Sequence, residues 1–237
     1  MGPFPVDRFV PYGPSHWVLM VLIVVGSVAV AAVGHRQRGS PSAVVFTRGF
    51  ALVLLAFGVV TLTYRLLPAH WDIGDSLPLQ LCDLAWIVAV PALWTHRPLA
   101  CALLYYWGLT LTPQAMITPA LDAPDFPSFD FVEFWGQHLL VIWAAAYLTW
   151  GAGVRPTWRG YWFAAAVTLS WGAAMLVFNA RAGTNYGFVS RKPDNPSLLD
   201  VMGGWPWYLG VEVVVGLAAW ALLTWPWTRS PRRVVRA

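Results

Sequence analysis

The sequence predicts an all-α, polytopic membrane protein of seven transmembrane helices, forming one domain over residues 1–237, and three observations predict it. Charged residues make up 11% of the chain against 58% hydrophobic, with a mean hydropathy of +0.57. Soluble domains carry roughly a quarter charged residues. The basic residues lie in short loops between apolar runs rather than along one helix face. The net charge of +4 therefore does not indicate a nucleic-acid surface, and no nucleic-acid partner is expected. Two cysteines are too few for a secreted disulfide scaffold.

A helix needs ~20 mostly apolar residues to cross ~30 Å of hydrocarbon, because lipid offers a bare backbone no hydrogen bonds. Seven stretches qualify: Ser15–Gly34, Arg48–Leu67, Leu77–Trp94, Leu99–Ala120, Glu133–Gly151, Gly160–Ala180 and Trp207–Trp227. The first has no signal-peptide architecture, because Arg8 is the only basic residue ahead of it and no small-residue cleavage site follows. The fourth contains Pro113 and Pro119 and should kink or end early.

Alternate loops differ in charge. One side collects Arg36, Arg38, Arg48, Arg97, Arg155, Arg159, Arg229, Arg232, Arg233 and Arg236, and the other Arg8, Arg65, Arg181, Arg191 and Lys192. Positive residues favour the cytoplasm, which predicts an outer N-terminus and a cytoplasmic C-terminus in a bacterial-type inner (cytoplasmic) membrane. The loop acids, Asp7 among them, all fall on the outer side. Trp17, Trp71, Trp135, Trp158, Trp162, Trp205, Trp207, Trp225 and Trp227 mark span ends, where an indole keeps one wet edge. Membrane lipids are the expected partners; the oligomeric state is left open.

Polar groups inside a bilayer are expensive, so each needs a partner or a purpose. They cluster in the outer halves of the spans: Arg65 ends the second, and Gln80, Cys82 and Asp83 open the third. Gln114 and Thr118 lie late in the fourth, Glu133 and His138 early in the fifth, and Glu212 early in the seventh. The inner halves read as almost purely apolar. Cys82 and His138 sit about five residues in, or ~7–8 Å deep at 1.5 Å per residue. A thiol and an imidazole at one depth are the minimal pair for nucleophilic acyl transfer, with a carboxylate to orient the ring. Asp83 and Glu212 are the two acids available for that, and Gln80 or Gln114 for stabilising an oxyanion.

Each residue also has a plainer reading. Arg65 snorkels, pairs with Asp83, or anchors a lipid phosphate or carboxylate. Glu212 bonds a neighbouring helix or orients His138. Asn185 and Tyr186, in Gly183-Thr184-Asn185-Tyr186, read as a turn capping backbone groups or as substrate contacts. Cys101, between alanines, reads as a core residue ~20 Å from Cys82, too far for the ~7 Å a disulfide allows. No metal is expected, because of His70, Asp72, Asp75 and His138 only His138 lies within a span and no HxxxH or HExxH pair occurs. No cofactor is expected either: there is no Walker loop, GxGxxG turn or GxSxG elbow.

The run Leu77-Pro78-Leu79-Gln80-Leu81-Cys82-Asp83-Leu84-Ala85-Trp86 carries a resemblance, as do Tyr106-Trp107-Gly108-Leu109, Gln114 and Thr118-Pro119. It continues through Phe126-Pro127, Glu133–His138, Gly183–Tyr186 and Ser197–Asp200, and closes on Trp205-Pro206-Trp207-Tyr208. Over about residues 50–215 the chain resembles the YwaF-like family of bacterial integral membrane proteins. That family is related to the transmembrane protein 164 acyltransferases and, more distantly, to the androgen-induced-gene hydrolases. The resemblance implies lipid acyl transfer or ester hydrolysis with Cys82 as nucleophile and His138 as its partner. The chain departs from the family where Gln80 stands in place of an expected histidine. The rival reading is a non-enzymatic transporter or receptor-like binder of a small molecule or lipid, and a further one is an assembly partner whose pocket groups satisfy one another. A polar path through the whole depth would favour the transporter. Paired Arg65–Asp83 and Glu212–His138 contacts without a cavity would favour the assembly partner.

Overall fold

A computed structural model describes residues 8–194 and 196–229. Asp7, Arg232, Arg233 and Arg236, which entered the charge count, lie outside the described residues. The helices are α1 (Pro14–Gln37), α2 (Pro41–Leu66), α3 (Leu81–Thr95), α4 (Pro98–Tyr106), α5 (Thr112–Ile117), α6 (Phe129–Ala146), α7 (Trp158–Ala182) and α8 (Trp207–Arg229). A π-helical turn, Trp107–Leu111, fuses α4 to α5, and another, Tyr147–Ala152, extends α6. Among the described residues this makes seven rods, with no strand beyond one isolated bridge between Arg8 and Pro124. Five of them, α1, α2, α6 with its π turn, α7 and α8, are long and apolar enough to cross a membrane, and α3 is a shorter apolar helix. The protein is a multi-pass membrane protein.

Local chemistry sets the boundaries. Pro14, Pro41 and Pro98 occupy first helical positions, where a missing N–H costs nothing. The second rod therefore begins at Pro41 rather than at Arg48. The third begins at Leu81 rather than Leu77. Gln80 is extended and caps the helix, its N–H donating to Asp83 Oδ2 at 3.2 Å, while its Oε1 is held by the Gly187 N–H at 2.9 Å and the Leu77 N–H by the Tyr186 hydroxyl at 3.1 Å. Thr157 caps α7 by accepting the Gly160 N–H at 3.1 Å, and Gly183 ends it with φ +70°. The fourth rod meets Pro113 through the π turn and stops at Ile117. Proline takes away the N–H that would bond Leu109 and crowds that carbonyl, and the Thr112 hydroxyl instead bonds the Trp107 carbonyl at 3.0 Å.

Three-residue and shorter links join α1 to α2 and α3 to α4, so these pack as antiparallel neighbours. The three long connections, 67–80, 118–128 and 183–206, gather at the opposite, long-loop end. The rod containing α6 is the centre of the bundle: 67% of its apolar window is buried, against 11% for α1. α1 reaches it through a backbone contact. A Cβ on Gly34 would lie 2.7 Å from the Gly151 Cα and 2.8 Å from the Tyr147 ring. Gly34→Ala is expected to cost about 1–3 kcal/mol through overpacking, seen as a lower melting temperature in detergent, whereas an unchanged melting temperature would show that α1 can move away freely.

The half of the bundle at the short-loop end is less apolar than the sequence suggests. Tyr106 and Thr224, both fully buried, share a hydrogen bond of 2.6 Å, and Trp220 Nε1 donates to Thr110 Oγ1 at 2.9 Å. The Tyr105 and Tyr161 hydroxyls donate to the Leu223 and Leu217 carbonyls. Hydroxyls on α4, its π turn and α7 thus find partners on α8, which satisfies them without water.

Candidate functional site

Helix starts and ends at the long-loop end bring the polar residues together. Arg65 closes α2, Gln80 and Asp83 cap α3, and Glu133, Gln137 and His138 lie on the early turns of α6. Between them is a cavity of about 510 Å³. Arg65, Gln80, Cys82, Asp83, Gln114, His138 and Glu212 all line it, together with Glu133 and Gln137. Residues predicted in the outer halves of five different spans therefore share one space.

The His138 imidazole is 3% exposed and tilts against the Phe134 ring, centroids 4.4 Å apart. Its Nδ1 lies 2.6 Å from the Phe134 carbonyl oxygen, one turn back on the same helix. A carbonyl only accepts, so Nδ1 carries the proton and Nε2 keeps its lone pair. Nε2 is buried and has no hydrogen-bond partner among the described residues. The ring is thus oriented by its own backbone, not by Asp83 or Glu212. Asp83 is engaged elsewhere, and Glu212 lines the cavity without an ion pair among the described residues. Cys82 is a free, partly exposed thiol, and Cys101 is also free and buried in the core, with its Sγ 3.9 Å from the Ala92 carbonyl.

Arg65 is the hub of a buried ion cluster. Its Nη2 donates to Asp83 Oδ1 at 2.7 Å and its Nη1 to the Asp75 carbonyl at 3.2 Å. Its Nε lies 3.0 Å from Glu133 Oε1, an ion-pair distance at which the N–H does not point along the bond. Side-chain exposures of 13% for Arg65, 2% for Asp83 and 14% for Glu133 mean little water screens the cluster. Each guanidinium nitrogen thus lies within 3.2 Å of a protein oxygen, while Arg65 also lines the cavity. Of the two contacts that mark a self-satisfied assembly partner, Arg65–Asp83 is present; His138 and Glu212 do not pair, and the cavity exists.

Gln80 is held by one end of its amide. Its Oε1 accepts the Gly187 N–H at 2.9 Å, which leaves the Nε2 hydrogens without a partner among the described residues, and the residue lines the cavity. Gln114 lines the cavity from α5.

Asn185 and Tyr186 do not line the cavity; they fold the loop beside it. Asn185 Oδ1 accepts from the Ser190 and Arg191 N–H groups, and its Nδ2 donates to the Arg191 carbonyl. Tyr186, fully buried, donates to the Ile73 carbonyl at 2.8 Å and accepts from the Leu77 N–H, tying two long loops together. Burial pushes its phenol above the ordinary value, with Asp75 and Asp83 adding to the rise, so it remains a neutral donor. Asn179 braces it from α7 through both backbone groups of Tyr186.

Gln137 is the site residue that the depth argument passed over. A glutamine next to His138 in an apolar span was the available signal, and it is 5% exposed at the cavity wall against Asp83. Among the described residues no group of three or more His, Cys, Asp or Glu is arranged to hold a metal ion.

In comparison with known proteins, the model of the TMEM164 family matches residues 11–224. No curated protein and no solved structure matches the chain.

Proposed function

The chain belongs to the TMEM164 family, and from that premise we propose that it is a membrane-embedded lipid acyltransferase or lipid ester hydrolase working through Cys82 and His138. The observation that supports this reading is that His138, whose buried Nε2 has no partner among the described residues, lines the same cavity as the free Cys82. Topology follows the charge pattern: the long-loop end faces outward and the C-terminus lies in the cytoplasm, in a bacterial-type inner membrane.

The cycle balances in two steps. His138 Nε2 takes the Cys82 proton while the sulfur attacks a lipid ester carbonyl. The carbonyl–oxygen bond breaks, the acyl group stays on sulfur as a thioester, and the imidazolium returns the proton to the leaving alkoxide. An acceptor lipid alcohol, or water, then gives its proton to Nε2 and attacks the thioester. The carbon–sulfur bond breaks, and the thiolate recovers the proton. The free Nε2 hydrogens of Gln80, or the amide of Gln114, donate to the oxyanion of both steps, a contribution of ~3–4 kcal/mol per donor in other enzymes.

The test is acyl transfer from a radiolabelled diacyl phospholipid to a lysophospholipid by purified protein in lipid nanodiscs. Wild type is expected to transfer and to carry label on Cys82, and Cys82→Ala to do neither while melting at the wild-type temperature. A folded Cys82→Ala variant that transfers at the wild-type rate sinks the proposal.

A further inference from the structure

The deep end of the cavity is closed by a tryptophan. α3 and α4 meet at the short-loop end, which gives both a common zero of depth. Cys82 lies thirteen residues from Thr95 and Trp107 nine from Pro98, so Cys82 is ~20 Å and Trp107 ~14 Å from that end. On α3 the only cavity residue below Cys82 is Asp83, the next residue, ~1.5 Å deeper; none of α4 lies below Trp107 and none of α7 below Trp171. By this measure Trp107 sits about one helical turn below Cys82 and is the deepest residue lining the cavity.

The indole is fixed there. It is 2% exposed, its Nε1 donates to Thr168 Oγ1 at 2.9 Å, and its carbonyl accepts from Thr112 across the π turn. The next residue has no room to give, because a Cβ on Gly108 would lie 2.9 Å from the Ala145 Cβ. Above Cys82 the walls are charged, from Arg65, Asp75 and Glu133; at its level they include His138 and Asp83, the latter paired with Arg65, beside Leu111 and Trp171, and the deepest wall is Trp107. A molecule joined to the sulfur keeps its polar part toward the long loops and sends its hydrocarbon toward Trp107. His138 Nε2, buried and unpartnered beside the same space, marks this as a ligand site rather than a lone thiol in a helix.

We propose that Trp107 sets the longest alkyl chain that the Cys82 sulfur accepts, and so the acyl-chain selectivity of the reaction. The proposal rests on the acyl-transfer reading, but the floor is a property of the cavity and can be measured without turnover. In a Cys101→Ala background, n-alkyl methanethiosulfonates with methyl, butyl, octyl and dodecyl chains are reacted with the protein. The Cys82 thiolate displaces methanesulfinate and forms a mixed disulfide, counted by intact mass. Wild type is expected to react with the short reagents and to slow sharply with the long ones. Trp107→Ala should raise the dodecyl-to-methyl rate ratio by about tenfold or more, since a methylene refused or admitted by an apolar pocket changes rates on that scale. Trp107→Phe, which keeps an aromatic packing surface should the alanine variant not fold, should raise it by less.

The floor is overturned if the ratio is unchanged in Trp107→Phe and in any folded Trp107→Ala protein. It is equally overturned if wild type takes dodecyl as fast as methyl, or if methyl does not reach Cys82. Phospholipid acyl transfer measured on the same proteins separates the two ideas. A shifted ratio without transfer in wild type removes the enzyme reading and leaves the floor, whereas transfer with an unshifted ratio does the reverse.

Discussion

Replacing His138 by glutamine is expected to lower acyl transfer by ~10²–10⁴-fold, the usual contribution of a positioned general base, without unfolding the protein. A glutamine amide can still donate to the Phe134 carbonyl that now orients the ring, but it has no basic nitrogen to receive the thiol proton. The Cys82 thiol then has no imidazole at hand, because His138 is the one histidine among the described residues that line the cavity. The measurement is initial transfer rate alongside a melting curve. Loss of transfer with a wild-type melt supports the base assignment, and a rate within threefold of wild type would refute it. Glu212→Gln, by contrast, touches no contact to the ring and leaves the tautomer as the Phe134 carbonyl sets it.

Arg65→Met should be the most destabilising single change at the long-loop end. It removes the countercharge of two carboxylates that see little water and leaves the Asp75 carbonyl unpaired. Breaking a buried ion pair from one side costs about 3–5 kcal/mol, which in a chain of this size lowers the melting temperature by roughly 6–20 °C. Neutralising the orphans is expected to restore much of the loss: Arg65→Met with Asp83→Asn and Glu133→Gln should melt well above Arg65→Met alone. If the single variant melts with wild type, the cluster does not hold α2, α3 and α6 together. If the triple variant melts no higher than the single, the loss comes from packing of the arginine stem instead.

The rods and the depth of each polar residue were legible along the chain, for one reason: depth is position multiplied by the helix rise, and both are linear in sequence. Thus Cys82 and His138 could be placed at one depth, and Gln80, Gln114, Asp83 and Glu212 in the same outer halves, before any packing was known, and they line one cavity. Boundaries failed where a distant group decided them. Leu77–Gln80 is apolar enough to be helix, yet Gln80, whose side chain is tied to the Gly187 N–H more than a hundred residues away, is extended and caps α3, which starts only at Leu81.

By itself, then, the amino-acid order determined a multi-pass helical bundle, the end at which its polar groups gather, and the thiol and imidazole most worth attention. Tertiary structure decided what each of those groups faces. Rotation of a helix about its own axis is set by which neighbours fit, such as the Gly34–Gly151 backbone contact that seats α1 against the central rod. It is that packing which gave Arg65 to Asp83 and Glu133, left His138 Nε2 without a partner, turned Asn185 and Tyr186 into loop anchors, and laid Trp107 under Cys82. Hydrogen bonds and ion pairs act over ~3 Å, a scale that helix rise alone never reaches and that close packing between helices settles.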